Sequence, residues 1–247
     1  GFRHIVCGNL GIEFICSPFS EKSADMLMKL GMKKYKLGSG EMFNYPLIKH
    51  IVSLDPGQLI LSTGLSTWSD IDQITEYLNQ AKTNYALLQC TTKYPTPLSE
   101  IGLTVMQTMM KRYTCPIGLS DHSANINTGI AAISLNAQIY EAHVVFDRRQ
   151  YGPDSTASLT IDEFRKIVEY NRDFNILMNQ DIKKNHLDKE LIATKSLFSK
   201  SVALAYDLPK GTIITMDMLR LKKPAGGIMP EDIELVVGKK LTIDWPS

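Results

Sequence analysis

Two of the chain's five histidines stand at matching positions near the middle of the sequence. His122 ends the run "PIGLSDH" and His143 ends the run "QIYEAH", each with a carboxylate close by in Asp121 or Glu141. Since side chains alternate along a strand, Glu141 and His143 share one face, whereas Asp121 faces away from His122 if the strand continues. One strand histidine is more often a hydrogen-bonded core residue, but a second at the equivalent place favours a divalent metal, Mn²⁺-like or Zn²⁺-like. Glu141 is open to three roles: metal ligand, support for His143, or acid–base group.

Further polar groups end the apolar runs that come earlier in the chain. Lys36 lies inside the run "YKLG", where a buried ammonium needs a partner. Hydroxyl, amide and carboxylate groups accompany it, with glycines that permit close backbone approach: Ser17, Ser39, Glu41, Ser62, Thr63, Gln89, Thr91, Thr92, Tyr94 and Ser120, with Gly38, Gly40 and Gly64. A lysine and several hydroxyls suit a phosphate group. A single strand-end serine is more often a helix cap, so this prediction depends on the whole set.

Short apolar runs alternate with helix-like stretches until about residue 180. The runs are nearly continuous, which is typical of parallel strands covered on both faces, and they recur at roughly the spacing of βα units. Ser69 and Thr160, the latter with Glu163, are expected to be helix N-caps. We count six βα units, the first strand lying in "GIEFICSPFS". A closed barrel needs eight, so the chain is either an open doubly wound sheet or a barrel whose first two units lie upstream. The helix-like opening "GFRHIVCGN" favours the barrel.

The character of the chain changes after about residue 180. We predict a partial barrel domain over residues 1–180, a polar linker over 181–195 and a small β-rich domain over 196–247. The turn signals "LPKG" and "PAGG" support short β segments in the last part. So small a domain is expected to need a partner surface.

Composition excludes several classes of function. The 247 residues are 44% hydrophobic and carry 27 basic against 26 acidic side chains, so no positive field favours nucleic acid. The sequence has no apolar stretch long enough to span a membrane. Its four cysteines form no CxxC pair and predict reduced thiols in a cytoplasmic protein.

Several motifs in a fixed order resemble one enzyme family. "KLGSGEMFNYPLI", "LILSTG", "LLQCTTKYPTP", "IGLSDHS" and "EAHVVFDRRQYGPDSTASLT" are similar to the sialic acid synthase (N-acetylneuraminate synthase) family, and "GTIITMDMLRLKKPAGGI" is similar to its antifreeze-like (SAF) domain. The resemblance covers nearly the whole chain. It implies an α/β fold, a TIM (β/α)₈-type barrel followed by a small C-terminal SAF domain. It also implies a domain-swapped homodimer in which each small domain caps the partner's barrel.

The resemblance further implies an activity. Family members are transferases that condense phosphoenolpyruvate with an N-acetylated hexosamine, such as N-acetylmannosamine or a diacetamido analogue, and release phosphate. The product is a nonulosonic (sialic-type) acid. The implied cofactor is a divalent metal, with Mn²⁺ expected and Mg²⁺ or Co²⁺ as alternatives.

The motifs assign expected roles to individual residues. His122 and His143 match the metal ligands, and Glu41 and Glu141 match acidic residues of the active centre that could transfer protons. The residues that match phosphoenolpyruvate-binding positions are Ser17, Lys36, Ser39, Ser62 and Ser120, together with Thr92, where the family often has asparagine. Tyr94 and Asp154 fall near the sugar site. Lys223 stands where many members have an arginine that reaches the partner's sugar site.

Two differences from the family pattern leave alternative functions open. The family's first two βα units have no counterpart here, so we expect this chain to be a fragment or partial gene product. Since lysine cannot make the bidentate contact of arginine, Lys223 suggests a sugar other than N-acetylmannosamine, for example a diamino-sugar precursor of legionaminic or pseudaminic acid. One alternative is a non-catalytic binding protein built on an incomplete barrel. Another is a synthase that condenses an aldose phosphate, against which the SAF-like tail counts.

Overall fold

The computed structural model describes residues 2–246, with side chains from Ile5 onward. The chain divides into two compact units, with the boundary between Asn179 and Gln180. The helices are α1 (Phe2–Asn9), α2 (Glu21–Lys29), α3 (Tyr45–Ser53), α4 (Trp68–Gln80), α5 (Leu103–Arg112), α6 (Ile126–Ser134), α7 (Ile161–Met178) and α8 (Lys189–Phe198). The strands are β1 (Lys34–Leu37), β2 (Gln58–Ser62), β3 (Tyr85–Cys90), β4 (Ile117–Asp121), β5 (Ile139–Ala142), β6 (Val144–Val145), β7 (Leu159–Thr160), β8 (Ser201–Leu204) and β9 (Leu219–Lys222).

The first unit is built on a parallel sheet whose strand order decides between the two expected architectures. Strands β1 to β5 lie in the order in which they occur along the chain, and each is joined to the next through a helix. A doubly wound sheet reverses its order at a switch point, whereas a β/α barrel does not. The sheet therefore has the winding of a barrel, and β6 and β7 add a short parallel pair.

The central strands are buried on both faces, as their continuous apolar sequences predict. All six residues of β3 and all five of β4 are buried. The outer face of the sheet packs on apolar stripes of the helices, such as Leu47, Ile48 and Ile51 of α3, which are at most 2% exposed. This packed core fixes the strand ends, where the polar side chains of interest lie.

The edges of the sheet differ from the sequence prediction. The first of the six predicted strands is reduced to one parallel bridge, between Cys16 and Tyr35. A strand at that edge has a pairing partner on one side only, so its apolar sequence does not suffice to extend the ladder. The sixth predicted strand is split at His143, because β5 pairs with β4 whereas β6 pairs with β7. Strand β7 was not predicted.

Helix starts were predicted with mixed success. Thr160 and Glu163 form the expected capping box at the start of α7. The prediction of Ser69 as a cap was wrong, since Thr67 caps α4 and Asp70 completes a capping box there. Both pairs place an acceptor three residues after the cap, which is the spacing that satisfies the free amides of a first turn.

The second unit combines α8 with a small antiparallel pair, β8 and β9. Its apolar cluster consists of Leu204, Leu208, Ile214 and Leu219. Helix α8 occupies part of the segment expected to be a linker, and Asp188 caps it by accepting from the amide of Leu191 at 2.8 Å. Within residues 2–246, no helix is both long enough and apolar enough to cross a membrane.

Candidate active site

Polar side chains cluster at the carboxyl ends of the five parallel strands. Lys36 lies near the end of β1, Ser62 ends β2, Cys90 ends β3, and Ser120 and Glu141 lie in β4 and β5. Cys90 is level with Ser120 in the β3–β4 register, and Ser120 is level with Glu141 in the next pair. Neighbouring strand ends of a β/α barrel form one surface, so these groups face a common space.

Lys36 supplies a buried positive charge to this space. Its Nζ donates to Ser62 Oγ at 2.8 Å and to the carbonyl oxygen of Leu37 at 2.9 Å, while Glu141 Oε1 lies 3.5 Å away. Its side chain is only 12% exposed. Burial lowers the pKa of Lys36, and the Glu141 carboxylate opposes that effect. The ammonium thus lies beside the Ser62 hydroxyl, with the Glu141 carboxylate at ion-pair distance.

Glu141 connects this lysine with the next strand. Ser120 Oγ donates to Glu141 Oε1 at 2.6 Å, and the same oxygen faces Lys36. Asp121 points the other way, as strand alternation predicts, and accepts from the Tyr140 hydroxyl at 2.8 Å. The two carboxylates therefore belong to opposite faces of the sheet.

A tight pocket of small groups surrounds Gly64, two residues after the end of β2. The amide of Gly64 donates to Ser39 Oγ at 3.0 Å, and Ser39 Oγ donates to Cys90 Sγ at 3.6 Å. A Cβ atom on Gly64 would stand 2.7 Å from Ser39 Oγ and 3.0 Å from Cys90 Sγ, and closer still to Thr92 Oγ1. The expected close backbone approach is therefore observed at Gly64. At Gly38 and Gly40 a Cβ would meet no atom within 4 Å.

The hydrogen bonds of His122 leave one ring nitrogen available. Its Nδ1 lies 3.1 Å from the carbonyl oxygen of Thr91, which can only accept, so in the neutral ring this contact assigns the proton to Nδ1 and leaves the lone pair on Nε2. The ring is buried, with Cys90 Sγ 4.0 Å from Nδ1. Burial lowers the pKa of His122, but the contacts with Cys90 and the Thr91 carbonyl outweigh burial and raise it above its ordinary value.

His143 lies beside His122 across the strand end. The two ring centroids are 5.3 Å apart, and the ring of Tyr94 lies 4.2 Å from His122 and 5.8 Å from His143. Asp154 Oδ2 is 3.9 Å from His143 Nδ1. Both imidazoles line a pocket of about 80 Å³ that Ser120 and Glu141 also line.

This pocket could offer two imidazole nitrogens to a divalent ion, from His122 and His143. Nε2 of His122 is free of protein partners in the contacts above, and His143 contributes a second imidazole. Within the described part of the chain, no three His, Cys, Asp or Glu side chains converge in a metal-binding arrangement. The residues that would hold a metal are thus this pair, and water or substrate would complete its coordination.

Three further predicted residues belong to other segments of the chain. Glu41 ends a short 3-10 helix and accepts from Asn44 Nδ2 at 2.7 Å. Ser17 follows the bridge at Cys16, and the contacts described for residues 2–246 join neither Ser17 nor Glu41 to the two histidines. Lys223 belongs to the second unit, where its Nζ lies 5.1 Å from the centroid of the Phe198 ring.

The sequence interpretation missed one residue of the candidate site. Cys90 was grouped with the other cysteines as an ordinary thiol, yet it touches both Ser39 and His122. Its position at the end of an apolar run, like that of Ser62 and Ser120, was the available signal.

Comparison with known families places the chain. The model of the NeuB family matches residues 4–183, and the model of the SAF domain matches residues 199–244. The first match covers well over half of the chain. The protein therefore belongs to the NeuB family, and its C-terminal part is a SAF domain.

Curated relatives agree with this assignment. The N,N'-diacetyllegionaminic acid synthase of Legionella pneumophila is 34% identical over 244 residues, covering 97% of this chain and 68% of the relative. The enzyme of the same name from Campylobacter jejuni is 35% identical, covering 95% and 70%. The N-acetylneuraminate-9-phosphate synthase of Homo sapiens is 31% identical, covering 95% and 65%.

Solved structures support the fold. The N-acetylneuraminic acid (sialic acid) synthetase of Leptospira borgpetersenii, solved in complex with citrate, superposes with a TM-score of 0.70 at 26% identity, over 78% of this chain and 67% of that one. The predicted fold class is confirmed: the five-stranded sheet is part of a TIM-type barrel and is followed by a SAF domain.

Proposed function

We propose that this protein is a synthase of a nonulosonic acid, which joins phosphoenolpyruvate to an acetamido sugar and releases phosphate. The names of its relatives support this class of product. The observation that carries the proposal is that Glu141 faces the buried Lys36 ammonium, itself bonded to the Ser62 hydroxyl, and also lines the pocket of the two imidazoles. An anionic donor and a carbonyl acceptor need these two kinds of group side by side.

Phosphoenolpyruvate would bind at the lysine side of the site. The Lys36 ammonium, the hydroxyl of Ser62 and the group around Ser39 offer one charge and several donors to a phosphate or carboxylate. Ser120 and Thr92 extend this set on the following strands. Because the ammonium is buried, its attraction for an anion is screened less than at an open surface.

The sugar would bind at the histidine side. A divalent ion, Mn²⁺ by expectation and Mg²⁺ or Co²⁺ as alternatives, supplies Lewis acidity toward the carbonyl oxygen of the open-chain sugar when bound. His122 and His143 would hold that ion, and Tyr94 and Asp154 border the same space. Fixing both substrates in one pocket places C3 of phosphoenolpyruvate near the carbonyl carbon.

A carboxylate of the site would transfer the protons of the reaction. Bond formation between C3 and the sugar's carbonyl carbon moves the C=O electrons onto the sugar oxygen, which takes up a proton, and leaves an electron-poor C2. Water adds to C2 and loses one proton; loss of its second proton then forms the C2 keto group as the C2–O bond to phosphate breaks and phosphate leaves. Glu141 lies next to Lys36 and Ser120 and can accept a proton of that water. Glu41, held by Asn44, is the second candidate for this role.

We further propose a diacetamido hexose as the preferred sugar, with N-acetylmannosamine as the competing substrate. Two of the relatives above are N,N'-diacetyllegionaminic acid synthases. Lys223, where the family resemblance leads one to expect arginine, agrees with a different sugar contact. The homodimer and the cytoplasmic location stay predictions.

Phosphate release tests the proposal. The protein is incubated with Mn²⁺, phosphoenolpyruvate and, in separate reactions, a 2,4-diacetamido hexose, N-acetylmannosamine and arabinose 5-phosphate. We expect phosphate and a nine-carbon keto acid, identified by mass, with an acetamido sugar, and none with His122→Ala. Release with arabinose 5-phosphate alone would favour an aldose-phosphate synthase. Binding of phosphoenolpyruvate without turnover of any sugar would favour a non-catalytic binding protein.

A further inference from the structure

Arg148 lies in the loop between β6 and β7, outside the pocket of the two histidines. Its guanidinium makes three hydrogen bonds to three separate segments. Nε donates to the carbonyl oxygen of Ser158 at 2.8 Å, and Nη2 donates to the carbonyl oxygen of Ala124 at 2.9 Å and to Glu163 Oε2 at 2.5 Å. A lysine ammonium lacks the planar fork of donors that such an arrangement uses.

Two of these segments carry residues of the candidate site. Ala124 lies in the turn after His122, with a left-handed φ of 54°. Ser158 closes the loop of Asp154, because Ser158 Oγ donates to the Asp154 carbonyl oxygen at 2.6 Å. The next amide, that of Leu159, donates to the carbonyl oxygen of His143 at 2.9 Å. Arg148 therefore connects the turn of one histidine with the loop that holds the other.

The third segment is the N-terminus of a long helix. Glu163 accepts from the amide of Thr160 at 2.8 Å and from its hydroxyl at 3.1 Å, through the same oxygen that Arg148 contacts. The capping box and the arginine thus share one carboxylate. Because α7 packs against α6 through the buried Ile167, the connection is anchored to the body of the unit.

We propose that Arg148 is a positioning residue that holds the Asp154 loop against the turn after His122 and so fixes the distance between the two imidazoles. The inference rests on the proposed function in assigning those imidazoles to a metal. Arg148 touches neither ring and acts through the backbone of their flanking segments. Such outer contacts commonly change metal affinity or activity by about 10- to 100-fold when removed.

The chain offers a matched control in the next residue. Arg149 is 90% exposed at its side chain and pairs with Asp147 on its own loop. Arg148→Gln removes the guanidinium, Arg148→Lys keeps the charge without the fork, and Arg149→Gln changes the net charge as Arg148→Gln does. Each full-length variant is checked for folding by circular dichroism and by its melting temperature.

Mn²⁺ titration followed by electron paramagnetic resonance, without substrates, gives the first measurement. We expect both Arg148 variants to bind Mn²⁺ at least about tenfold more weakly than the parent, and Arg149→Gln to match the parent. Steady-state kinetics give the second. The sugar KM should rise or kcat should fall, while the phosphoenolpyruvate KM stays within about twofold, because Lys36, Ser39 and Ser62 belong to segments that Arg148 does not contact.

Two results would overturn the proposed role of Arg148. A folded Arg148→Lys with parental Mn²⁺ affinity would overturn the proposal. So would an equal rise in both KM values, since that is the result of a general structural role. If the parent binds Mn²⁺ but forms no product, the proposed function fails, and the Mn²⁺ titration still decides the role of Arg148.

Hydrogen exchange covers the case in which the parent binds no Mn²⁺. In Arg148→Gln the amides of residues 121–125 and 144–159 should both exchange faster than in Arg149→Gln, since the arginine joins those segments. Unchanged protection in either segment would reject the connection between them. Faster exchange in both would support it independently of catalysis.

Discussion

Gly64 offers a direct test of the proposed phosphoenolpyruvate side of the site. Its backbone does not adopt a positive φ, so alanine is compatible with the local conformation. The added methyl group, however, would stand 2.7 Å from Ser39 Oγ and 3.0 Å from Cys90 Sγ, and closer still to Thr92 Oγ1. Ser39 and Cys90 are buried, and all three side chains lie at or just after the ends of β1 and β3. Relief of the overlap must therefore displace groups that we assign to substrate binding.

The size of the effect follows from the cost of overfilling a packed site. Insertion of a methyl group into close-packed surroundings costs about 1–3 kcal/mol. If that cost lowers the free energy of unfolding, the melting temperature of Gly64→Ala should fall by about 2–12 °C. If displacement of Ser39 and Thr92 weakens substrate binding by a similar amount, the phosphoenolpyruvate KM should rise by about 5- to 150-fold.

The assay compares Gly64→Ala with Gly38→Ala by melting temperature and by phosphoenolpyruvate KM. Gly38 also follows a strand of the site, but its backbone is extended and an added Cβ atom would meet nothing within 4 Å, so its variant should match the parent. The double variant Gly64→Ala/Thr92→Ala should recover part of the lost melting temperature, because the nearest atom is removed. A parental melting temperature for Gly64→Ala would refute the steric argument. A lowered melting temperature with an unchanged KM would refute the assignment to phosphoenolpyruvate.

The other predictions concern the charged groups and the tail. His122→Ala and His143→Ala should each abolish turnover and Mn²⁺ retention at a near-parental melting temperature. The control His50→Ala, in α3 beside Asp25, should retain both. Activity in His122→Ala or His143→Ala would reject their assignment as metal ligands. Lys36→Gln should raise the phosphoenolpyruvate KM by about 10- to 150-fold, since hydrogen bonds to a charged group contribute about 1.5–3 kcal/mol. Burial lowers the pKa of Lys36, whose ammonium is charged below that pKa and neutral above it. We therefore expect kcat/KM for phosphoenolpyruvate to fall at a pH below 10.5, the ordinary pKa of a lysine. A kcat/KM that stays constant up to pH 10.5 would contradict this expectation. Deletion of residues 196–247 should raise the sugar KM more than the phosphoenolpyruvate KM, and equal effects would show a merely structural tail.

The sequence predicted the interior of the fold better than its edges. Strands β2 to β4 are paired and covered on both sides, so their apolar runs alone identify them. At the edge, "GIEFICSPFS" has a similar composition but forms only the Cys16–Tyr35 bridge. The break at His143 depends on which strand each half can pair with, and that is a property of the assembled sheet.

In the candidate site, too, the sequence predicted some of the contacts and not others. Strand alternation was enough to predict that Glu141 and His143 share a space and that Asp121 does not. The role of Cys90 depends on its distances to Ser39 and His122, which lie far from it in the sequence. Local spacing carries no information on such contacts, and no pattern in the sequence distinguishes Arg148 from its neighbour Arg149.

We propose above all that one divalent ion binds between the imidazoles of His122 and His143, beside a site for phosphoenolpyruvate at Lys36. Anomalous diffraction at the manganese edge, from crystals grown with Mn²⁺ and phosphoenolpyruvate, tests it most directly. We expect one anomalous peak within about 2.2 Å of Nε2 of His122 and within the same distance of a ring nitrogen of His143, with the substrate's phosphate or carboxylate in contact with Lys36. A peak elsewhere, or substrate density away from Lys36, would contradict it.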